Sequence, residues 1–358
     1  MTRRRIVATL SGPVLAAALA GLPACSAIGD PGGMPRGYPH GGTGQFRPLE
    51  PDEVGIADGR AIALQNTAIE AAMVAGGFLY YAAAPRLDEP PEPPEGFPES
   101  EVLWDAFAPR AIFRSEPRDN LGFSRGTQVL AASEAWEGEE VFDPWAVIDG
   151  DVVRLYYAAE GGIGVATSTG GGAFARERAP ILDGDDALAG VPRRPSVVRG
   201  PDGAWWMYYD AGGAIGVARS EDGIAFARID ADPSTPAIDP IVIEGDDGRD
   251  TEELSVGHPG AVSLVTITGR HLVRVYFESR RDDGTILPYV AGSEDGVNFE
   301  RHEVPIMAEL DVRFPSPLLL DDRVTLLYAN VPFRSGGHQM RKLIGAVSPA
   351  GESFAPDE

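Results

Sequence analysis

FDPWAVIDGDVVRLYYAA, residues 142–159, is the stretch on which the fold turns. Pro144 opens an apolar run, where a strand loses no ladder donor. Gly150, with its flanking acids, marks a tight hairpin turn, and a second strand runs to Tyr156-Tyr157. IGVATSTGGGAF then supplies a third strand, a Gly-rich turn and an aromatic, Phe174.

The same plan recurs along the chain. RRPSVVRGPDGAWWMYYDA (193–211) is followed by IGVARSEDGIAF, GHPGAVSLVTITGRHLVRVYFES (257–279) by PYVAGSEDGVNF, and RFPSPLLLDDRVTLLYAN (313–330) by IGAVSPAGESF. Each copy opens at a proline: Pro144, Pro195, Pro259 or Pro315. The second strands carry Tyr156-Tyr157, Tyr208-Tyr209, Tyr276-Phe277 and Tyr328, and the copies close on Phe174, Phe226, Phe299 and Phe354. TAIEAAMVAGGFLYYAAA (67–84) is a more diverged copy, with later strands expected at AIFRS and in 126–133. Repeats of this size, each of four short strands, predict an all-β protein: a five-bladed β-propeller of four-stranded antiparallel blades over 55–358.

Outside the repeats, Arg3-Arg4-Arg5 precedes an apolar run from Ile6 to Leu22, followed by Pro23-Ala24-Cys25. Residues 1–24 therefore read as a secretory signal peptide, the apolar run being too short and too interrupted to span a membrane. Cys25, the only cysteine, stands where a bacterial lipoprotein carries its lipid, although Pro23 departs from the usual residue there. A plain signal peptide with an incidental cysteine is the other reading. Residues 25–54 are expected to tether a lipid-anchored or secreted domain to the cell envelope. Two further polar stretches, the Pro/Glu-rich 87–101 and the acidic 244–253, read as surface loops. The formal net charge of −24, with Lys342 the only lysine, excludes nucleic acid as a partner.

The repeat, with its Asp-Pro opening, Tyr-Tyr strand and A-x-S-x-D-G-x-x-F (218–226), resembles the five-bladed propellers of glycoside hydrolases, the arabinanase, xylosidase and invertase-like group. That resemblance covers nearly all of 55–358. It implies carboxylates on the innermost strands of three blades, facing a central channel where a glycan binds. Glycosidic cleavage needs one protonated and one ionised carboxyl across the bond.

The residues before the prolines are Asp143, Arg194, His258 and Phe314, and counting back from Tyr80-Tyr81 places Thr67 with them. This ring holds one carboxylate, and an arginine cannot serve as the acid. Asp143, Trp145, Arg194 and His258 are thus the candidate ligand-binding residues, Trp145 as a sugar-stacking platform. For Asp143, orienting a ligand hydroxyl and capping a local turn are both open; for Arg194, ligand binding and an ion pair with Asp143. Catalytic candidates are Asp143, Glu70 within an apolar strand, and Glu278. Glu278 and Asp210 follow the aromatic pairs at matching places, where a solvated strand end is the plainer expectation. No P-loop, Rossmann fingerprint, serine nucleophile elbow or Cys/His metal pattern occurs, so no cofactor or metal is expected. Three functions fit: a non-catalytic glycan-binding propeller, a glycoside hydrolase with a rearranged carboxylate pair, and a protein-interaction propeller.

Overall fold

A computed structural model describes residues 46–48, 69–83, 109–117, 123–124, 126–184, 190–245, 251–265, 270–302, 304–307, 313–319, 325–335 and 338–348. Among these the protein is an all-β propeller, interrupted by a single 3-10 turn at Ala135–Glu137. The strands, in chain order, are β1 (Arg47–Pro48), β2 (Ile69–Ala75), β3 (Phe78–Ala83), β4 (Ala111–Ser115), β5 (Thr127–Leu130), β6 (Val141–Asp149), β7 (Val152–Ala159) and β8 (Gly162–Thr169). Then come β9 (Ala175–Arg176), β10 (Leu182–Asp183), β11 (Arg193–Arg199), β12 (Trp205–Asp210), β13 (Ile215–Ser220), β14 (Ala227–Arg228) and β15 (Val242–Glu244). The last are β16 (Glu253–Val265), β17 (His271–Arg281), β18 (Ile286–Ser293), β19 (Asn298–Arg301), β20 (Arg313–Leu319), β21 (Thr325–Ser335) and β22 (His338–Ser348).

They assemble into five sheets, β2 to β5, β6 to β10, β11 to β14, β15 to β19, and β20 to β22 with β1. The first strands β2, β6, β11, β16 and β20 each pack on the next, and β20 packs on β2. Two sheets depart from the expected four antiparallel strands. The second adds β10 beside β8, and the fourth adds β15, which runs parallel to β19. Glu137, at the end of the 3-10 turn, is wholly buried and accepts from Arg176 at 2.6 Å and from the Tyr157 hydroxyl at 2.6 Å. That clip fixes β7 to β9.

One irregularity recurs in every sheet. The first strand slips register against the second between Ile69 and Ala72, Phe142 and Trp145, Arg193 and Ser196, Gly257 and Gly260, and Arg313 and Ser316. Four of these bulges hold a residue with positive φ that is not glycine: Asp143, Arg194, His258 and Phe314, at 50–55°. Each precedes a proline, which disfavours the ordinary helical region. Such backbone costs on the order of 1 kcal/mol per residue and persists only where the surroundings impose it.

Neighbouring sheets are latched through the aromatic strands. The Tyr156 hydroxyl donates to Gly223 O at 3.0 Å and the Tyr208 hydroxyl to Gly296 O at 2.9 Å. Gly223 and Gly296 sit in the S-x-D-G turns of the following sheet. There Asp222 accepts the Ile224 and Ala225 N–H groups and Asp295 those of Val297 and Asn298. The same tyrosines meet the next sheet's closing aromatic edge-on, Tyr156 on Phe226 and Tyr208 on Phe299.

The last sheet closes differently from the expectation. Phe354 lies outside the described residues, and the aromatic on Tyr276 is Phe46, edge-on at 6.0 Å and buried. The register explains the substitution. Arg228 and Arg301, each two residues after a closing phenylalanine, pair with Ala218 and Ala291; Pro48, two residues after Phe46, pairs with the corresponding Ala346. Phe46 N–H also donates to Ile306 O at 2.7 Å. Residues 46–48, read from sequence as tether, thus belong to the propeller, because an apolar aromatic followed by two pairing residues suffices for a fourth strand.

Candidate functional site

The bulges bring their residues to one place. A pocket is lined by Ala71 to Met73, Asp143 to Trp145, Arg194-Pro195, His258-Pro259 and Phe314 to Ser316. The ring of pre-proline residues inferred from sequence therefore converges, with Ala71 contributed by the first sheet. Thr67 lies outside the described residues. The count that chose it assumed equal hairpins, whereas Met73 pairs with Tyr80 across a shorter hairpin than the one joining Trp145 to Tyr156. Glu70 sits in the β2 bulge between Ile69 and Ala72, the place that Asp143 holds between Phe142 and Trp145, so by register the first sheet's ring position is Glu70 and the ring carries a second carboxylate.

Arg194 occupies the centre of the polar groups. Its Nη1 donates to Asp210 Oδ2 at 2.9 Å, and its Nε lies 3.8 Å from Asp143 Oδ2. Its guanidinium also faces the Phe314 ring, 5.4 Å from the centroid. Asp143 is only 3% exposed, so its carboxyl is met by protein groups rather than by water. The ion pair weighed from sequence is present, and Asp210 joins it. The expectation of a solvated strand end fails for Asp210, because the β12 end turns it back onto the bulge of its own sheet. Gly257 of the next sheet abuts that carboxylate, and a Cβ there would stand 2.8 Å from Asp210 Oδ2.

Glu278, the equivalent residue one sheet on, is also no solvated end. It is 5% exposed and fully engaged. His258 Nδ1 lies 2.6 Å from Oε1, Phe314 N–H donates to the same oxygen at 2.7 Å, and Arg313 Nη1 donates to Oε2 at 3.3 Å. Burial alone would raise the Glu278 pKa, but His258, the Phe314 amide and Arg313 outweigh it and hold the carboxyl below its usual range. Glu278 is therefore an ionised anchor that clamps His258 and the start of β20. His258 stacks at a tilt on Phe314, with ring centroids 4.7 Å apart.

Trp145 lines the pocket but does not present a platform. It is 7% exposed and its Nε1 donates to Val197 O at 2.9 Å, so the indole packs between sheets. Trp205 and Trp206 are likewise buried. The partly exposed charged and aromatic groups of the pocket are Arg194, His258 and Phe314. Sequence reasoning missed Asp210 as the partner of Arg194 and Ala71 as a wall. The matched positions of Asp210 and Glu278 were the available sign of the first.

No protein-family model matches the chain, and no curated protein matches it. Solved structures do. A family 117 glycoside hydrolase, Zg3597, from the marine bacterium Zobellia galactanivorans is 14% identical and superposes with a TM-score of 0.56 over 87% of this chain and 92% of that one. The β-xylosidase RS223 is 15% identical, with a TM-score of 0.51 over 81% of this chain and 94% of its own. The fold is that of the glycoside hydrolase propellers. A third structure on this fold, fructan 1-exohydrolase IIa from Cichorium intybus in complex with 1-kestose, is 11% identical with a TM-score of 0.52, covering 80% of this chain and 56% of that one.

Proposed function

We propose that this chain is an exported, lipid-anchored, five-bladed propeller of glycosidase type that binds a glycan or another cell-envelope component in its channel without cleaving it. Each of the five sheets counts as one blade. The single observation that carries the reading is Arg194, a permanent cation placed against Asp143 and Asp210 where a hydrolase of this fold would hold a carboxylate. Glycoside hydrolysis needs a carboxyl that is protonated when the bond breaks. Asp143 faces the Arg194 guanidinium at 3.8 Å, and the Glu278 carboxyl is held below its usual range by His258, the Phe314 amide and Arg313. Among the described side chains of the pocket, the accessible guanidinium, imidazole and phenyl ring suit hydroxyl recognition and stacking on a sugar face, and Glu70 is the further acid at the bulge position equivalent to Asp143. The basic start, apolar run and Cys25 support export and anchoring. The complex of fructan 1-exohydrolase IIa with 1-kestose supports a carbohydrate ligand by analogy of fold.

A glycan array probed with the mature domain and with Arg194→Gln tests this. Wild-type binding to a defined set of glycans is expected, with its loss in the variant; circular dichroism below the variant's lowered melting temperature verifies the fold. Absence of binding to every glycan, with capture of a protein partner instead, would replace it with the interaction-propeller alternative.

A further inference from the structure

β21 and β22 continue past the sheet they belong to. β20 pairs with β21 only as far as Arg313 with Asn330, next to the pocket residue Phe314. Beyond that rung, among the described residues, β21 and β22 pair only with each other: Val331 with Lys342, Pro332 with Arg341, Phe333 with Met340, Arg334 with Gln339, and Ser335 with His338. At about 3.4 Å per rung this two-stranded ribbon extends roughly 17 Å beyond the pocket end of β20.

Its composition is opposite to that of the chain. In a protein of net charge −24, residues 324–351 contain no Asp or Glu, while the ribbon carries Arg334, Arg341 and the only lysine, Lys342. Cations gathered on one projecting element of an acidic protein create a local positive field that attracts anions within roughly a Debye length, about 8 Å at physiological ionic strength.

We propose that this ribbon is a docking arm for an acidic polysaccharide, one bearing carboxylate or sulfate groups, whose chain passes from the ribbon to the channel. The inference rests on the glycan-binding reading and adds to it the charge class of the ligand. The ribbon leaves the sheet beside the pocket residue Phe314, which favours a ligand shared with the pocket over an anionic membrane as the occupant. β1 runs antiparallel to β22 with Arg47 opposite Val347, so the chain enters β1 from the Ser348 end, the end remote from the ribbon.

The test is affinity electrophoresis of the mature domain in gels containing polygalacturonate, alginate or chondroitin sulfate. Methyl-esterified polygalacturonate serves as the uncharged control, and phosphatidylglycerol vesicles are assayed by co-sedimentation. The expected result is retardation by at least one acidic polymer, weakening with NaCl and weaker for the esterified control. The combined variant Arg334→Gln, Arg341→Gln, Lys342→Gln should bind about tenfold or more weakly. Single substitutions, each costing a fraction of that, supply the readout if the triple variant melts early. Equal binding by the triple variant, retardation by none of the acidic polymers, or ribbon-dependent binding to vesicles alone would overturn the proposal. Neutral glycans bound through Arg194 on the array, with no preference for charge, would overturn only the docking arm; no glycan bound at all would overturn both readings.

Discussion

His258 Nδ1 lies 2.6 Å from Glu278 Oε1, and that same oxygen receives the Phe314 N–H from the neighbouring sheet at 2.7 Å. One carboxylate thus fixes two of the strained bulge residues that line the pocket, joining the fourth sheet to the fifth.

Replacing Glu278 by Gln should therefore destabilise the protein by roughly 3 kcal/mol, the range seen when one member of a buried pair is removed. Because the folded-state pKa of Glu278 is depressed, its contribution is fully present above the unfolded value and is lost as pH falls through the lower folded value. Urea denaturation of wild type and Glu278→Gln at pH 7 and again under strongly acidic conditions checks this, with the difference expected to shrink in acid. A constant difference would contradict an ionised Glu278.

The latch between sheets makes a separate prediction. Tyr156→Phe and Tyr208→Phe each remove the donor to a glycine carbonyl and leave the ring packing in place. Each should cost about 1–2 kcal/mol, the penalty for a buried acceptor left unmade. Chemical denaturation of the single variants measures it, and the two losses should be close to additive because the latches join different pairs of sheets.

Ring closure by the N-terminal segment predicts that Phe46→Ala costs roughly 3 kcal/mol, as for a large core aromatic cut to a methyl. The measurement is the same denaturation experiment on the mature domain. An unaffected midpoint would mean that Phe46 does not fill the fourth-strand place on Tyr276.

The turns offer a pH readout of their own. The backbone N–H groups of Ala225 and Ile224 and the Ser220 hydroxyl hold Asp222 at a pKa of about 2. For Asp295, burial works the other way and is outweighed by Asn298, the Val297 N–H and Ser293, again giving about 2. Both groups have folded values below their usual 3.8, so the stability they confer is present above that value and lost as pH falls toward 2. Carboxyl-carbon NMR titration should find both still ionised at pH 3.

The propeller was legible because each repeat carries local chemistry that survives without context: proline at a strand start, glycine in a hairpin, Asp-Gly in a turn. The pre-proline ring at Asp143, Arg194, His258 and Phe314 was legible for the same reason. The first sheet's ring position was not legible from the tyrosines alone, because hairpin length is set by pairing partners and the bulge register puts Glu70 where the second sheet has Asp143. Trp145 reads as a platform in sequence, and only the neighbouring sheet, by supplying Val197 O, shows it as core. Asp210 and Glu278 look like solvated strand ends until the bulges return Arg194 and His258 to them. Phe46 was hidden because its sheet partners lie at the other end of the chain, a contact that no local pattern announces.

In the proposed function, Arg194 between Asp143 and Asp210 stands where a hydrolase would hold its catalytic pairing. The most direct measurement is hydrolysis of a panel of chromogenic arabinosides, xylosides, galactosides and fructosides by the purified mature domain. Release no faster than in buffer is expected across the panel. Turnover by wild type that disappears in Asp143→Asn or Glu278→Gln, with the fold intact, would contradict it.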